Sequence, residues 1–381
     1  MKRPRSRRLS VLYVAAGDWT EERRNYNQVQ RGLFAPPAVD LIVLVPRSSR
    51  VSLDLPANVT VRRATLPGRA GFYAAEAWML LTARLRSIDA VATGNTFEGV
   101  PAWLLRHIGN YRWVSDIWDA PHKHLVTYYA TAATARQRLR RVASRTKVAL
   151  FRHTLRTADL VLVSICPESL GSYRLAPDRV RAFQNAIDLA DLAPVPDAPR
   201  RPNSVCYVSS LFLPDRGLDT LAGAATLLTE RGRNVEVSIA GTVANSAREA
   251  ARSRHFRVLG TLSLAEAHAL MARSQVGVLP FHWNEDIAYT QPIKVLEYMA
   301  LGCVVVASDL PGVREIVRPD VDGLLVEPGN AEALAAALER VLSDGDLSRR
   351  LRANAYERVQ RFDATAKVSA IFREIERVCA A

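Results

Sequence analysis

The sequence predicts an α/β protein of two domains, each built on a parallel β-sheet covered by helices. The chain has 381 residues, more than a single hydrophobic core usually serves, so two domains of roughly 180 residues each are expected. Short runs rich in Val, Ile and Leu alternate with longer helical segments, which is typical of parallel strands joined by crossover helices. The alternation stops once, at a proline-rich stretch, and then starts again.

Seven candidate strands precede this interruption and six follow it. The first set comprises Leu9–Ala15, Val39–Val45, Val59–Arg63, Asp89–Thr93, Arg112–Ser115, Asp159–Ser164 and Val180–Gln184. The second set comprises Ser204–Val208, Val235–Ala240, Phe256–Gly260, Val276–Pro280, Val304–Ala307 and Gly323–Val326. Two Rossmann-like domains facing a central cleft follow from this pattern, with ligands at the carboxyl ends of the strands.

The domain limits follow from the same pattern. Residues 1–190 form the N-terminal domain, residues 191–203 a linker with four prolines, and residues 204–362 the C-terminal domain. Proline can neither continue a helix nor lie in a central strand, which favours a linker there. The last helix lies within residues 363–381, and we expect it to cross back onto the first domain.

Charge is distributed unevenly along the chain. The net charge is +13, but residues 1–190 carry 29 Lys and Arg against 14 Asp and Glu, whereas the rest carries 22 against 24. The N-terminal domain is therefore expected to face an anionic partner. Apolar residues make up 49% of the chain and charged residues 23%, which excludes a disordered or collagen-like protein.

The cysteines and the first residues bear on the compartment. Four cysteines are spread singly, without a CxxC pair, and are expected to be small core residues in a reducing cytoplasm; they are Cys166, Cys206, Cys303 and Cys379. The basic start of the chain is followed by a short apolar run and then by acidic residues. We interpret it as a basic tail before the first strand, with a signal peptide as the alternative.

The segment Ala288–Val317 carries the most specific motif. Pro292 suits the first turn of a helix, Lys294 follows within that turn, and Glu297 lies one turn later. A helix N-terminus offers free N–H groups to a phosphate, a lysine adds a full charge, and a carboxylate can accept both hydroxyls of a ribose. The alternative is a surface Lys–Glu pair, which stabilises a helix by only ~0.2–0.5 kcal/mol.

This segment resembles the donor site of retaining glycosyltransferases of the GT-B fold, family 4 in particular, where P-x-K-x-x-E-Y-M-A-x-G precedes a V-V-A-S-like strand. The resemblance extends over the second half of the chain. Arg216 stands where the family places a basic residue before glycine, and Gly241 ends a strand similar to the family's second one. The stretch from Phe256 to Phe281 is similar to the strand, helix and strand that cradle the base, near Val258 and Gly260.

The resemblance implies a division of roles at the donor site. Arg216 and Lys294 would hold the pyrophosphate and stabilise charge on the leaving group, and Glu297 would bind the ribose. No metal or other cofactor is expected, because paired cations can replace a metal at a diphosphate. The donor would be a UDP- or GDP-linked sugar, and the donor-binding set also includes flanking residues, namely Gly17, Val258, Gly260, Tyr289, Thr290 and Ile293.

Two positions depart from the family pattern. The family's fuller motif has a second glutamate eight positions before the ribose-binding one, where it contacts the donor sugar, and here that position is Tyr289. A glycine expected after Tyr207 is Ser209, which weakens any expectation of close backbone approach there. The resemblance therefore implies a nucleotide site and leaves the sugar open.

Candidate residues in the N-terminal domain follow two predicted strands. Gly17 and Asp18 come after the first strand, where a small-residue loop would lie near the donor phosphates, or form a plain turn. Asp116, Asp119 and His122 follow another strand, with His124 close by. A carboxylate there could act as a catalytic base or orient the acceptor. The alternative is that Asp116 caps its strand and that the histidines are solvated.

Two further patterns concern metal and membrane. Asp344-Gly-Asp346 is a DxD triplet, but it lies between two predicted helices, so we interpret it as capping. Five arginines fall within about 60° on a predicted helix, forming a basic stripe: Arg138, Arg141, Arg145, Arg152 and Arg156. Together with the basic tail Lys2–Arg8, this stripe favours contact with an anionic membrane surface, and a solvated helix face is the alternative.

These observations favour an enzyme at the cytoplasmic face of a membrane that moves a sugar from a nucleotide donor to a lipid-linked, polysaccharide or other glycan acceptor. A nucleotide-sugar epimerase of the same fold stays open. A basic nucleic-acid-binding protein is a different class, but no RRM, KH or zinc-finger pattern supports it, and no nucleic-acid partner is expected. An inactive scaffold is the remaining alternative.

Overall fold

The computed structural model describes residues 7–15, 17–20, 23, 26–94, 99–118, 146, 149–164, 171, 173–192, 200–285 and 287–381. The chain divides into two compact units. The N-terminal unit comprises Met1–Asn185 with Ala364–Ala381, and the C-terminal unit comprises Ala186–Asp363. Every paired strand in the described residues runs parallel to its neighbour, one sheet in each unit, which confirms the predicted α/β class.

The N-terminal unit contains a seven-stranded sheet with the order β3-β2-β1-β4-β5-β6-β7. Its strands are Leu9–Val14 (β1), Val39–Val45 (β2), Val59–Arg63 (β3), Ala90–Gly94 (β4), Arg112–Ile117 (β5), Leu160–Val163 (β6) and Val180–Ala182 (β7). Its first helices are Asn27–Leu33 (α1), Gly68–Leu81 (α2) and Gly99–Gly109 (α3). Residues 149–155 are also helical.

The C-terminal unit contains a six-stranded sheet with the order β10-β9-β8-β11-β12-β13. Its strands are Ser204–Phe212 (β8), Glu236–Val243 (β9), Phe256–Val258 (β10), Val276–Leu279 (β11), Val304–Ser308 (β12) and Leu324–Val326 (β13). Its helices are Leu218–Glu230 (α4), Arg248–Ala251 (α5), Leu264–Arg273 (α6), Ile293–Ala300 (α7), Pro311–Arg314 (α8), Ala331–Ser343 (α9) and Gly345–Val359 (α10).

The final helix, Ala364–Ala380 (α11), belongs to the N-terminal unit. Four apolar residues at helical spacing bury one of its faces in the same cluster as β1, β2 and β6; they are Val368, Ile371, Phe372 and Ile375. Helices α2 and α3 contribute to a second cluster that includes other side chains of the same sheet. The sheet is therefore buried on both faces, as parallel sheets require.

Capping and cysteine burial follow the sequence expectations where the structure describes them. The Asp344 carboxylate accepts a hydrogen bond from the Leu347 N–H at 2.9 Å and begins α10, so the DxD triplet contains a helix cap. Cys206 and Cys303 are fully buried in the C-terminal core, and Cys379 is partly buried. Cys166 lies outside the described residues. No helix within the described part of the chain has both the length and the hydropathy needed to cross a membrane.

Gly217 brings two loops of the C-terminal unit together. The strand order reverses between β8 and β11, and such a reversal places the loops after these strands side by side. Gly217 has a φ of 69°, and a Cβ built on it would lie 1.7 Å from the Pro280 carbonyl oxygen. The His282 N–H also donates to the Asp215 carbonyl at 3.0 Å. Only glycine allows this approach.

We expect Gly217→Ala to lower the free energy of unfolding by about 3 kcal/mol, of which about 1 comes from left-handed backbone and about 2 from steric overlap. Gly232→Ala is a matched control, because Gly232 has a φ of 74° and a Cβ at that position would meet no atom within 4 Å. It should cost only about 1 kcal/mol. Urea unfolding measures both, and equal losses would contradict the close approach.

Candidate functional site

Two cations in the C-terminal unit share one aromatic ring. The Arg216 Cζ lies 4.7 Å from the centroid of the Phe281 ring, and the Lys294 Nζ lies 5.4 Å from the same centroid. The Lys294 Nζ is also 5.5 Å from the centroid of the Tyr207 ring. Ring faces attract cations at this range. The structure thus brings together Arg216 and Lys294, which lie in two separate segments of the sequence.

The backbone around the two cations is fixed by neighbouring groups. The Tyr207 hydroxyl donates to the Arg216 carbonyl at 2.8 Å, and Gly217 follows directly. Phe281 comes from the end of β11, so its ring projects from the loop that Gly217 approaches. The Asp215 carboxylate lies 3.5 Å from the Arg216 Nε. Arg216 therefore has a carboxylate neighbour in this structure, and its cationic face rests on an aromatic ring.

Ser209 holds the amine of Lys294. The Lys294 Nζ donates to the Ser209 Oγ at 3.0 Å, and the Ser209 hydroxyl donates to the Leu211 carbonyl at 3.2 Å. The register of β8 against β9 shifts between Val208 and Leu211, so a β-bulge contains Ser209. Bulges commonly re-aim a side chain next to a functional site. The serine that departs from the family pattern is thus a direct partner of the predicted lysine.

Gly241 makes this bulge possible. It lies on β9 opposite the bulge with a φ of 143°, and a Cβ there would lie 1.7 Å from the Ser209 carbonyl oxygen. Its N–H donates to the Gly260 carbonyl at 2.7 Å, which links β9 to the loop after β10. The family pattern leads one to expect close backbone approach at position 209 itself. The structure places that approach at Gly241 instead, because the bulge turns the Ser209 carbonyl towards it.

Burial and charge act together on Lys294. Burial lowers the pKa of its ammonium group from the usual value near 10.5 to about 7, and repulsion from Arg216 acts in the same direction. The carboxylate of Glu297 opposes both effects. An amine with this pKa gains its proton readily when an anion arrives. The cluster is therefore suited to an anionic ligand.

Glu297 lies one turn after Lys294 on α7. It is 8% exposed, and its Oε1 lies 3.6 Å from the His268 Nε2 on α6. Tyr298 fixes the helix beneath it, because its hydroxyl accepts the Val208 N–H at 3.0 Å and its ring occupies the space over Gly277. Tyr298 is the tyrosine that follows Glu297 in the motif, but the sequence analysis assigned it no role at the site. The signal was present as a glycine inside β11, a position where a large side chain can pack closely.

The residues before α7 belong to a tight turn. Thr290 donates both its hydroxyl, at 2.8 Å, and its N–H, at 3.0 Å, to the Ile287 carbonyl. A Cβ on Gly312 would lie 1.9 Å from the Thr290 carbonyl oxygen, so α8 packs against this turn. Tyr289 and Ile293 are partly buried against the C-terminal core. The turn sets where α7 begins, and a ligand role for these three predicted residues stays a prediction.

The predicted base-cradling residues lie at the edge of the same sheet. Val258 ends the edge strand β10 and is half exposed. Gly260 is exposed, has a φ of 69°, and accepts the Gly241 hydrogen bond described above. The Gly260 backbone is thus hydrogen-bonded to Gly241, which packs against Ser209, the partner of Lys294. A base-binding role for Val258 and Gly260 stays a prediction.

The N-terminal candidates are engaged within their own unit. Asp116 is fully buried, and its carboxylate accepts hydrogen bonds from the Arg31 Nε at 3.0 Å, the Arg31 Nη2 at 3.2 Å and the Tyr13 hydroxyl at 3.1 Å. Three donors satisfy the charge and leave no free face for a substrate. The arrangement favours a structural role for Asp116 over the base expected from sequence.

Two other N-terminal residues are also placed by local contacts. The Asp18 carboxylate accepts the Arg50 N–H at 2.9 Å and its guanidinium at 3.1 Å, and these bonds lower the pKa of the carboxyl. Gly17 has a φ of 131° and backs onto Gln28. Gly17 and Asp18 therefore belong to a turn that the hydrogen bonds from Arg50 hold in place. Asp119, His122 and His124 lie outside the described residues.

The basic stripe is only partly described. Arg138, Arg141 and Arg145 lie outside the described residues, as does most of the basic tail. The Arg156 Nε donates to the Tyr173 carbonyl at 2.8 Å, and the Arg152 guanidinium lies 5.1 Å from the Tyr173 ring centroid. These two arginines therefore contact their own unit. Among the described residues, no three His, Cys, Asp or Glu side chains are grouped to hold a metal ion.

Comparison with known proteins assigns this architecture. Residues 202–344 match the family model "Glycosyl transferases group 1". A phosphatidyl-myo-inositol mannosyltransferase of Mycolicibacterium smegmatis is 32% identical over 220 residues, which is 56% of this chain and 54% of that protein. An alpha-D-kanosaminyltransferase of Streptomyces kanamyceticus is 30% identical over 159 residues, 40% of this chain and 39% of that protein. The chain thus spans about half the length of the curated relatives it matches.

Solved structures match the whole fold. Sucrose-phosphate synthase from Thermosynechococcus elongatus superposes with a TM-score of 0.71 at 19% identity, covering 97% of this chain and 100% of that one. Anabaena HepE in complex with UDP and glucose gives a TM-score of 0.69 at 16% identity, with the same coverage. At these identities the likeness defines the fold alone. We conclude that the chain has the GT-B fold and that its residues 202–344 are similar to the group 1 glycosyltransferases.

Proposed function

We propose that the protein is a glycosyltransferase that moves a sugar from a UDP- or GDP-linked donor to a lipid-linked, polysaccharide or other glycan acceptor. The observation that carries this proposal is the pairing of Arg216 and Lys294 over Phe281 in a desolvated site. A diphosphate needs paired cations where no metal is supplied, and cations fixed in advance act best where charge develops on a leaving group. Relatives that carry this activity in their names support the same class.

Each residue has a distinct role in the proposed reaction. Arg216 and Lys294 bind the donor diphosphate and stabilise the negative charge that grows on it as the glycosidic bond breaks. Glu297 accepts hydrogen bonds from the ribose hydroxyls, and Ser209 positions the Lys294 amine. The transition state is oxocarbenium-like, and retention of configuration is what the family resemblance implies. No metal takes part in this scheme.

Contact with an anionic membrane at the cytoplasmic face belongs to the same proposal. The excess of basic residues in the first 190 positions supports it. The mannosyltransferase relative supports it as well, since its name includes a phosphatidyl lipid. A transferase that serves a lipid-linked acceptor gains from being held where that acceptor is found.

We expect titration calorimetry to find binding of one nucleotide of the pair UDP and GDP, together with its sugar conjugates. Lys294→Met should weaken that binding about ten- to a hundredfold, because a charge-assisted contact is lost. Glu297→Gln should weaken nucleotide binding more than it changes the binding of inorganic pyrophosphate, because the proposed partner of Glu297 is the ribose and its effect on the diphosphate is only indirect, through the charge of Lys294.

Arg233→Gln serves as the control for charge, since Arg233 is exposed and pairs with Glu339 at 3.2 Å, away from this cluster. Failure of every nucleotide to bind, with salt-sensitive binding of DNA or RNA instead, would overturn the proposal. A nucleotide sugar converted to its epimer without any acceptor would identify an epimerase.

The affinity for the nucleotide-sugar donor should fall as the pH rises above about 7. The free site has a Lys294 pKa of about 7, and the diphosphate favours the protonated amine, so binding must take up a proton at higher pH. Once the free lysine is neutral, the affinity should drop by up to about tenfold per pH unit. Calorimetry in buffers of different ionisation enthalpy counts the protons. Lys294→Met should abolish the uptake, and an uptake that persists in this variant would contradict the assignment.

A further inference from the structure

The edge strand of the N-terminal sheet creates a slot with an apolar floor and a cationic rim. Strand β3 pairs with β2 so that Thr60 faces Ile42 and Arg62 faces Leu44. Side chains two apart on a strand lie on the same face, so the face that is apolar on β2 becomes polar and cationic on β3. Helix α2 stands over this boundary and leaves a cavity of about 530 Å³.

Exposed apolar side chains surround the slot. Trp78 on α2 lines it and is 63% exposed, and Leu85 just after α2 is 86% exposed. Helix α3 reaches the end of α2, because a Cβ on Gly109 would lie 2.7 Å from the Leu80 carbonyl oxygen. Half of the large exposed apolar residues found in the described chain belong to this region, here named the α2–α3 face: Leu66, Trp78, Leu81, Leu85, Leu104 and Ile108.

Arginines border the α2–α3 face without carboxylate partners. Within the described residues, no Asp or Glu lies at ion-pair distance from any of five exposed arginines there, namely Arg62, Arg63, Arg69, Arg84 and Arg86. The nearby Glu76 is fully buried. A second copy of this chain meeting the face symmetrically would place arginine against arginine, which disfavours self-association. An anionic surface meets both the charge and the apolar side chains.

We propose that the α2–α3 face binds the surface of an anionic phospholipid bilayer and that the slot holds one lipid of that bilayer. Arg62, Arg63 and Arg86 contact the phosphate, while the apolar chain of the lipid lies over Ile42 and Leu44. Trp78 enters the interface, where an indole suits both the apolar and the polar layer. This inference rests on the proposed function for its biological setting. It assigns membrane binding to the α2–α3 face rather than to the basic tail and the basic stripe.

Vesicle co-sedimentation of the full chain tests this inference without donor or acceptor. We expect binding to phosphatidylcholine vesicles that contain phosphatidylglycerol and little binding to phosphatidylcholine alone. The double variant Arg62→Gln/Arg63→Gln should weaken binding to the anionic vesicles about 30-fold, at about 1 kcal/mol per arginine near the surface. Trp78→Ala should weaken it as well. Anionic vesicles should shift the tryptophan emission of the unchanged protein to shorter wavelength, and this shift should be smaller in Trp78→Ala.

Matched variants in the C-terminal unit are the controls. Arg252→Gln/Arg254→Gln removes two exposed arginines, and Trp283→Ala removes a tryptophan that is 57% exposed; both should bind vesicles as the unchanged protein does. Equal loss in test and control variants, equal binding to neutral vesicles, or a dimer that Trp78→Ala dissociates would overturn the inference. Nucleotide binding is measured on the same Arg62/Arg63 variant. If it is retained while the membrane inference fails, the proposed transferase function still stands.

Discussion

The hydrogen bond from Lys294 to Ser209 depends on a backbone contact that only glycine permits. Gly241 lets the Ser209 carbonyl approach, the bulge in β8 turns the serine hydroxyl towards the lysine, and the lysine then lies between two aromatic rings. The aromatic rings exclude water, which is why the amine loses basicity. The lowered basicity of Lys294 on α7 thus depends on how β8 pairs with β9.

The two units differ in whether a buried charged group has a partner of opposite charge in direct hydrogen-bond contact. In the N-terminal unit the Asp116 carboxylate is enclosed by Arg31 and Tyr13, so the charge is neutralised within the protein. In the C-terminal unit Lys294 receives a neutral hydroxyl and aromatic faces. A desolvated cation that the protein does not fully neutralise favours an incoming anion. This contrast favours the C-terminal unit as the place where a small anion binds.

Strand positions could be predicted from the sequence because each strand is a short apolar run between helical segments, as in β2 and β3, whose limits agree with the structure at both ends. The pairing of Arg216 with Lys294 was implied by the family resemblance. The bulge at Ser209 could not be predicted, because β8 continues to Phe212 through two serines that lie beyond the apolar run. The engagement of Asp116 was hidden for a similar reason: a carboxylate after a strand looks available until its buried arginine partner, 85 residues away, is located.

Net charge and local charge lead to different conclusions about where anions bind. The half of the chain that carries the proposed diphosphate site has more acidic than basic residues, yet many of its acidic residues lie on the exposed surface in pairs such as Arg231 with Glu332. Exposed charges are screened within about 10 Å at ordinary ionic strength, whereas a desolvated cation acts with little screening on a bound group. The basic excess of the other half, exposed around α2, acts instead over a broad surface. The desolvated Lys294 beside Arg216 therefore suits a small anion, whereas the many exposed arginines around α2 suit an extended anionic surface.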